Sequence, residues 1–135
     1  MDNSPTRLHE VFFYGLYMDE EILKSKGVEP RNKRAGFAKG YKLRIGNMAT
    51  LLRDKESKAY GLIYSLTHDE IDTLYVKSGL TDYILESLLV TTNDGNNIAV
   101  LCSNLLVSPS INESNSEYLR KLITCMSHYN LPIPL

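Results

Sequence analysis

The first apolar run, Val11-Phe12-Phe13-Tyr14, shows no alternation of polar and apolar positions and stops at Gly15. A strand without alternation is one buried on both faces, so residues 10–14 are predicted to form an interior strand. Residues 19–26 follow with helical character. Asp19, Glu20 and Glu21 sit where a helix's first turn favours acids, and Gly27 sits where a left-handed residue ends one. A buried strand that feeds a tight turn and then a helix start leaves main-chain N–H groups over. Such a place is suited to a carboxylate or a phosphate.

Residues 1–9 are polar and predicted to be a flexible N-terminus. Residues 28–35, with Pro30 and the basic cluster Arg31, Lys33 and Arg34, read as a loop with a solvated face. Residues 37–45 read as a strand with Tyr41, Leu43 and Ile45 on one side. Gly46-Asn47 breaks it, residues 49–52 resume it, and Arg53-Asp54-Lys55-Glu56 reads as a charged turn. Residues 59–66 form a strong strand, in which Gly61 marks a bulge or a close backbone approach. Thr67-His68-Asp69-Glu70 is a capping box that opens a helix closed by Gly79, with Ile71, Leu74 and Tyr75 inward. Residues 83–92 and 98–106 read as strands joined by the turn Asn93-Asp94-Gly95-Asn96. A final helix from Ser116 or Glu117 stacks Leu119, Leu122, Ile123 and Met126 on one face. Leu131-Pro132-Ile133-Pro134 cannot continue it. The sum is six strands and three helices in one domain, residues 1–135. Short connections point to an α+β fold with a largely closed, mostly antiparallel sheet.

Composition narrows the function classes. With 15 basic and 16 acidic residues in 135, the net charge of −1 gives no footing for nucleic acid or an anionic membrane. No apolar run reaches the roughly 20 residues of a membrane helix. The N-terminus has no signal-peptide character, so a cytoplasmic setting is expected. Cys102 and Cys125 have no metal spacing and read as buried thiols. His9, His68 and His128 are scattered, so neither a metal nor a cofactor is expected.

Several segments together resemble the gamma-glutamylcyclotransferase-like (AIG2-like) family. Phe12-Phe13-Tyr14-Gly15-Leu16-Tyr17-Met18 resembles its Tyr-Gly-Ser/Thr-Asn/Leu-Met signature. Gly40-Tyr41-Lys42-Leu43-Arg44 resembles its second strand, and residues 59–66 its Val-x-Gly-x-x-Tyr-x-Leu strand. Ile71-Asp72-Thr73-Leu74 resembles the helix that follows, and Tyr83 the tyrosine before the next strand. Tyr118-Leu119 through Asn130-Leu131-Pro132 resembles the final helix and its Gly-Leu-Pro stop. The likeness spans residues 10–132.

The resemblance implies a six-stranded β-barrel with flanking helices, and a pocket whose loop amides hold a glutamyl or pyroglutamyl carboxylate. The implied reaction converts a γ-glutamyl amine into 5-oxoproline and a free amine. The substrate's own α-amino group attacks its γ-carbonyl, so a base must first take an ammonium proton. In active members that base is a glutamate three residues after the helix aspartate. Here Tyr75 stands three residues after Asp72, and Val76 replaces the usual glycine. A tyrosine that titrates near 10 is a poor base at neutral pH.

Glu86, in the apolar stretch Ile84-Leu85-Glu86-Ser87-Leu88, is a candidate replacement base with a raised pKa. Alternation instead places it on the solvent side, opposite Tyr83 and Leu85. Cys102 is a candidate nucleophile without a nearby histidine. Tyr14, Gly15, Leu16, Tyr17, Tyr75 and Tyr83 are the candidate substrate-binding residues. Arg44 is either a carboxylate partner or a surface arginine. Three functions are weighed: a cyclotransferase acting on a small γ-glutamyl amine, an inactive module that binds a small carboxylate, and a structural domain with a filled pocket. Nothing in the sequence fixes the oligomeric state.

Overall fold

The computed structural model describes residues 4–133. Strand β1, Leu8–Phe13, lacks alternation because its two faces enter two different cores. Phe12 and the following Tyr14 join buried side chains drawn from every strand, among them Ala38, Ile63, Val90 and Cys102, and so fill the barrel interior. Val11 and Phe13 face outward, onto Leu23, Ile71, Leu74 and Leu122 of the helices. The other strands are β2 Arg31–Ile45, β3 Ala49–Thr67, β4 Tyr83–Thr92 and β5 Asn97–Leu105. The helices are α1 Glu20–Ser25, α2 His68–Tyr75 and α3 Ser116–His128, and a 3-10 turn occupies Leu16–Met18. The strands close into a barrel in the order β1-β3-β2-β4-β5. All pairs are antiparallel except a parallel contact of β1 with β5 at Val11 and Leu101.

The six expected strands become five because β3 runs through the charged segment. Lys39 pairs with Lys58 and Tyr41 with Arg53, so residues 54–57 bulge out opposite Gly40, which adopts φ +86°. A polar run that bulges without reversing direction does not end a strand. The Asp54 carboxylate closes the bulge by accepting from the Glu56 amide and the Ser57 hydroxyl.

Two further expectations are corrected. Leu8 and His9 are strand residues paired with Thr67 and Leu66, so the polar N-terminus is ordered from there; residues 1–3 lie outside the described part. The expected basic loop supplies the start of β2, where acids from other elements neutralise the cations. Arg31 pairs with Glu70 and Glu29, Lys33 with Glu20, and Arg34 with Glu10.

Local signals elsewhere act as written in the sequence. Thr67 and Glu70 form the reciprocal capping box. Gly27 and Gly79 take positive φ at the ends of α1 and α2. At the end of α3 the same stop is made by Asn130, φ +58°, with the Leu131 amide donating to the Met126 carbonyl and Asn130 to Ser127. Pro134, in the expected extended tail, lies outside the described residues. No helix among the described residues is long and apolar enough to cross a membrane.

Glu70 ties the capping box to β2. Burial alone raises its pKa, but the Arg31 guanidinium and the amides of Glu29 and Thr67 outweigh that, and the carboxyl titrates below its usual range. A carboxylate depressed in the folded state stabilises above its unfolded pKa of about 4.3, and that stability is lost as pH falls through the folded value. Glu70→Gln is therefore expected to flatten the loss of stability below about pH 4 in urea melts taken across the acid range.

Candidate functional site

The turn after β1 is shaped by what approaches it. Gly15 has φ −113° and ψ −159°, extended values open to any residue, so its backbone angles do not require glycine. Space does: a Cβ there would stand 2.3 Å from the Tyr118 hydroxyl oxygen. That oxygen accepts from the Leu16 amide at 3.0 Å. Met18 and Asp19 amides bond back to the Gly15 and Leu16 carbonyls. The Gly15 and Tyr17 amides have no hydrogen-bond partner among the described residues. Of the donors anticipated here, two stay open and one is capped by a tyrosine.

These residues line a cavity of about 340 Å³. Tyr14 and the turn to Tyr17 form one wall. Asn47, Met48 and Ala49, from the tip of the β2–β3 hairpin, form a second. Tyr75 and Leu80 come from the end of α2 and the loop after it, Tyr83 from the start of β4, and Tyr118 from the first turn of α3. The rings of Tyr17 and Tyr75 meet edge-to-face at 5.6 Å, and those of Tyr75 and Tyr83 lie 5.9 Å apart.

Hydroxyls fix the walls. Tyr14 donates to the Ser103 carbonyl at 2.6 Å, Tyr17 to the Leu74 carbonyl at 3.0 Å, and Tyr83 to the Ala49 carbonyl. Burial pushes the pKa of Tyr14, Tyr17, Tyr75, Tyr83 and Tyr118 upward, so each stays protonated and neutral at physiological pH. For Tyr75 the effect is large, with the nearby Ser103 pulling the other way.

All six candidate binding residues, Tyr14, Gly15, Leu16, Tyr17, Tyr75 and Tyr83, line this one cavity. Glu86 does not. It shares the parity of Leu88 and Val90, which point into the barrel, and lies on the opposite face of β4 from Tyr83. Its carboxylate accepts from Asn104 Nδ2 at 3.0 Å. Asn104 is itself held by the Leu51 amide, so the geometry withdraws Glu86 from the role of base in the cavity. Cys102 is fully buried in the barrel, and burial followed by the charge of Glu86 pushes its thiol pKa far up. A thiol so disposed is no nucleophile. Arg44 does not line the cavity: it donates to the carbonyls of Ile45, Ser110 and Glu113, and so straps the 108–115 loop onto the β2–β3 hairpin.

Tyr118 and the hairpin tip are absent from the sequence-based list. Tyr118 stands beside the apolar stripe of α3, in its first turn, three residues after the capping Asn115. An aromatic residue with a polar tip at that position is the only sign it leaves. Tyr118→Phe is expected to strip the Leu16 amide of its partner at a cost of about 1 kcal/mol. The thermal midpoint should fall by a few degrees, without change in the far-ultraviolet circular dichroism spectrum.

Among the described residues, no Asp, Glu, His, Lys or Arg lines the cavity. Among the described residues, no group of three or more His, Cys, Asp and Glu is placed to hold a metal ion. Chemically the site combines open N–H donors, neutral hydroxyls and aromatic walls.

No family model matches the sequence, and no curated protein does. Solved structures do match. A gamma-glutamyl cyclotransferase superposes with a TM-score of 0.78 at 16% identity, over 94% of this chain and 83% of its own. An uncharacterized protein from Homo sapiens gives 0.75 at 16% identity, with the same 94% and 83% coverage. An AIG2-like protein from Mus musculus gives 0.61 at 17% identity, over 86% and 94%.

Proposed function

On a chain that has the gamma-glutamyl cyclotransferase-like fold, we propose that the tyrosine-lined cavity binds a small carboxylate and does not turn it over. The observation that carries this reading is the composition of the walls: open amides at Gly15 and Tyr17, and no carboxylate among the lining residues. The amides, with the Tyr118 hydroxyl beside them, suit a carboxylate by charge-assisted hydrogen bonding. The volume lies at the small end of the roughly 300–1,000 Å³ typical of ligand pockets. Cyclisation of a γ-glutamyl amine needs the ammonium proton removed, and Tyr75, at the cavity wall, is too weakly acidic to serve as its base. A cavity of this size also speaks against a purely structural domain plugged by its own tyrosines.

The likeness to a gamma-glutamyl cyclotransferase favours a second reading, in which the protein acts on a small γ-glutamyl amine and releases 5-oxoproline. One experiment separates the two. The protein is incubated with a panel of γ-glutamyl amines, and 5-oxoproline is quantified; in parallel its thermal midpoint is recorded with small carboxylates. The expected outcome is no product above the uncatalysed background and a rise in midpoint with 5-oxoproline. Steady product release would replace the first reading with the second.

A further inference from the structure

We infer that the cavity selects carboxylates that carry no ammonium, so that an amino acid is excluded where the matching simple acid is accepted. This rests on the carboxylate reading above and names the ligand class within it.

The acceptors on the walls are all neutral, tyrosine oxygens and main-chain carbonyls, and none is anionic. Three of the carbonyls behind them are already engaged by the tyrosines: Ala49 by Tyr83 and, more distantly, Tyr14, Leu74 by Tyr17, and Ser103 by Tyr14. The turn carbonyls of Gly15 and Leu16 take the amides of Met18 and Asp19. The side-chain amide on the lining belongs to Asn47, which is exposed at the rim and neutral. An ammonium taken inside therefore meets no negative charge, and a buried unpaired charge is strongly disfavoured.

Aromatic walls can also receive an organic cation across a ring face. Here the Tyr17 ring already carries Lys26, whose Nζ lies 5.7 Å from its centroid. A second cation beside it is repelled, while an anion is attracted. The open donors and the lysine thus favour the same ligand charge, and the want of an anionic partner opposes the other.

Three ring-matched probes test this on the full chain by titration calorimetry: cyclopentanecarboxylate, proline and pyrrolidine. The first has the carboxylate alone, the second adds the ammonium, and the third has the ammonium alone. Cyclopentanecarboxylate is expected to bind, proline at least about tenfold more weakly, and pyrrolidine not at all. Equal binding of proline and cyclopentanecarboxylate overturns the inference and leaves the carboxylate reading standing. Binding of pyrrolidine alone, or of none of the three, overturns both. The exposed Lys26 offers a second arm that spares the cavity walls. K26E is expected to narrow the ratio of cyclopentanecarboxylate to proline affinity several-fold at low salt, and the effect should fade as salt is added. An unchanged ratio in K26E refutes the electrostatic part of the inference.

Discussion

Gly61→Ala is expected to destabilise the protein by about 3 kcal/mol, the upper end of what overpacking costs. A Cβ at this position would stand 2.2 Å from the Phe13 carbonyl oxygen and 3.0 Å from two atoms of the Phe12 ring. Main chain cannot step aside as a flexible side-chain tip can. The facing strand offers no relief, because the register partner of Gly61 is Gly36, itself crowded: a Cβ there meets the Thr91 carbonyl and Val90 at 2.8 Å. At these two glycines β1, β3, β2 and β4 approach through bare backbone, with no room for a side chain. Against a typical total of 5–15 kcal/mol, the loss is a large share. Urea denaturation checks it: the midpoint should fall markedly with an unchanged slope. A midpoint close to that of the parent protein would mean that β1 and β3 separate at little cost.

The second large effect concerns chemistry. Tyr75→Glu is expected to confer release of 5-oxoproline from a γ-glutamyl amine, at least about a hundredfold above the parent protein, within the range that general bases contribute. The position suits a base. It lies on the cavity wall between Tyr17 and Tyr83, where burial dominates the local titration. Burial raises a carboxyl's pKa toward neutrality, where a base works best. The new carboxylate would also supply the acceptor an α-ammonium lacks in the parent cavity. Tyr75→Gln is the matched control: without the charge that pairs the α-ammonium it should bind more weakly, and it should release nothing. If the Glu variant folds and binds a γ-glutamyl amine yet stays silent, then orientation, not the missing base, is what the cavity lacks.

What was legible in the sequence was mostly local. The capping box at Thr67, the glycine stops at Gly27 and Gly79, and the hairpin turn around Gly95 each rest on a backbone requirement a few residues long. Candidate wall residues from Tyr14 to Tyr17, with Tyr75 and Tyr83, were legible because aromatic side chains stand beside a turn or an element end. Tertiary features were hidden. Arg31, Lys33 and Arg34 look solvated until Glu70, Glu20 and Glu10 arrive from distant elements. The segment 54–57 looks like a reversal until Gly40 shows that the partner strand merely bends around it. Tyr118 looks like one more helix residue until its hydroxyl meets the Leu16 amide, 102 positions earlier.

The barrel's seam has a consequence of its own. Register pairing between β2 and β4 occurs at Gly36–Thr92 and Phe37–Thr91, and the rest of β4 carries no paired residue on that side. An incompletely paired strand bearing exposed Leu85 and Leu89 is a template on which a neighbouring chain can add, the usual first step of edge-to-edge aggregation. Glu86 sits in that stretch and brings a charge to the barrel side of the strand. A charge in such a stretch is one of the devices by which sheets blunt an exposed edge, so Glu86→Leu is expected to raise the protein's tendency to aggregate, read by light scattering on heating.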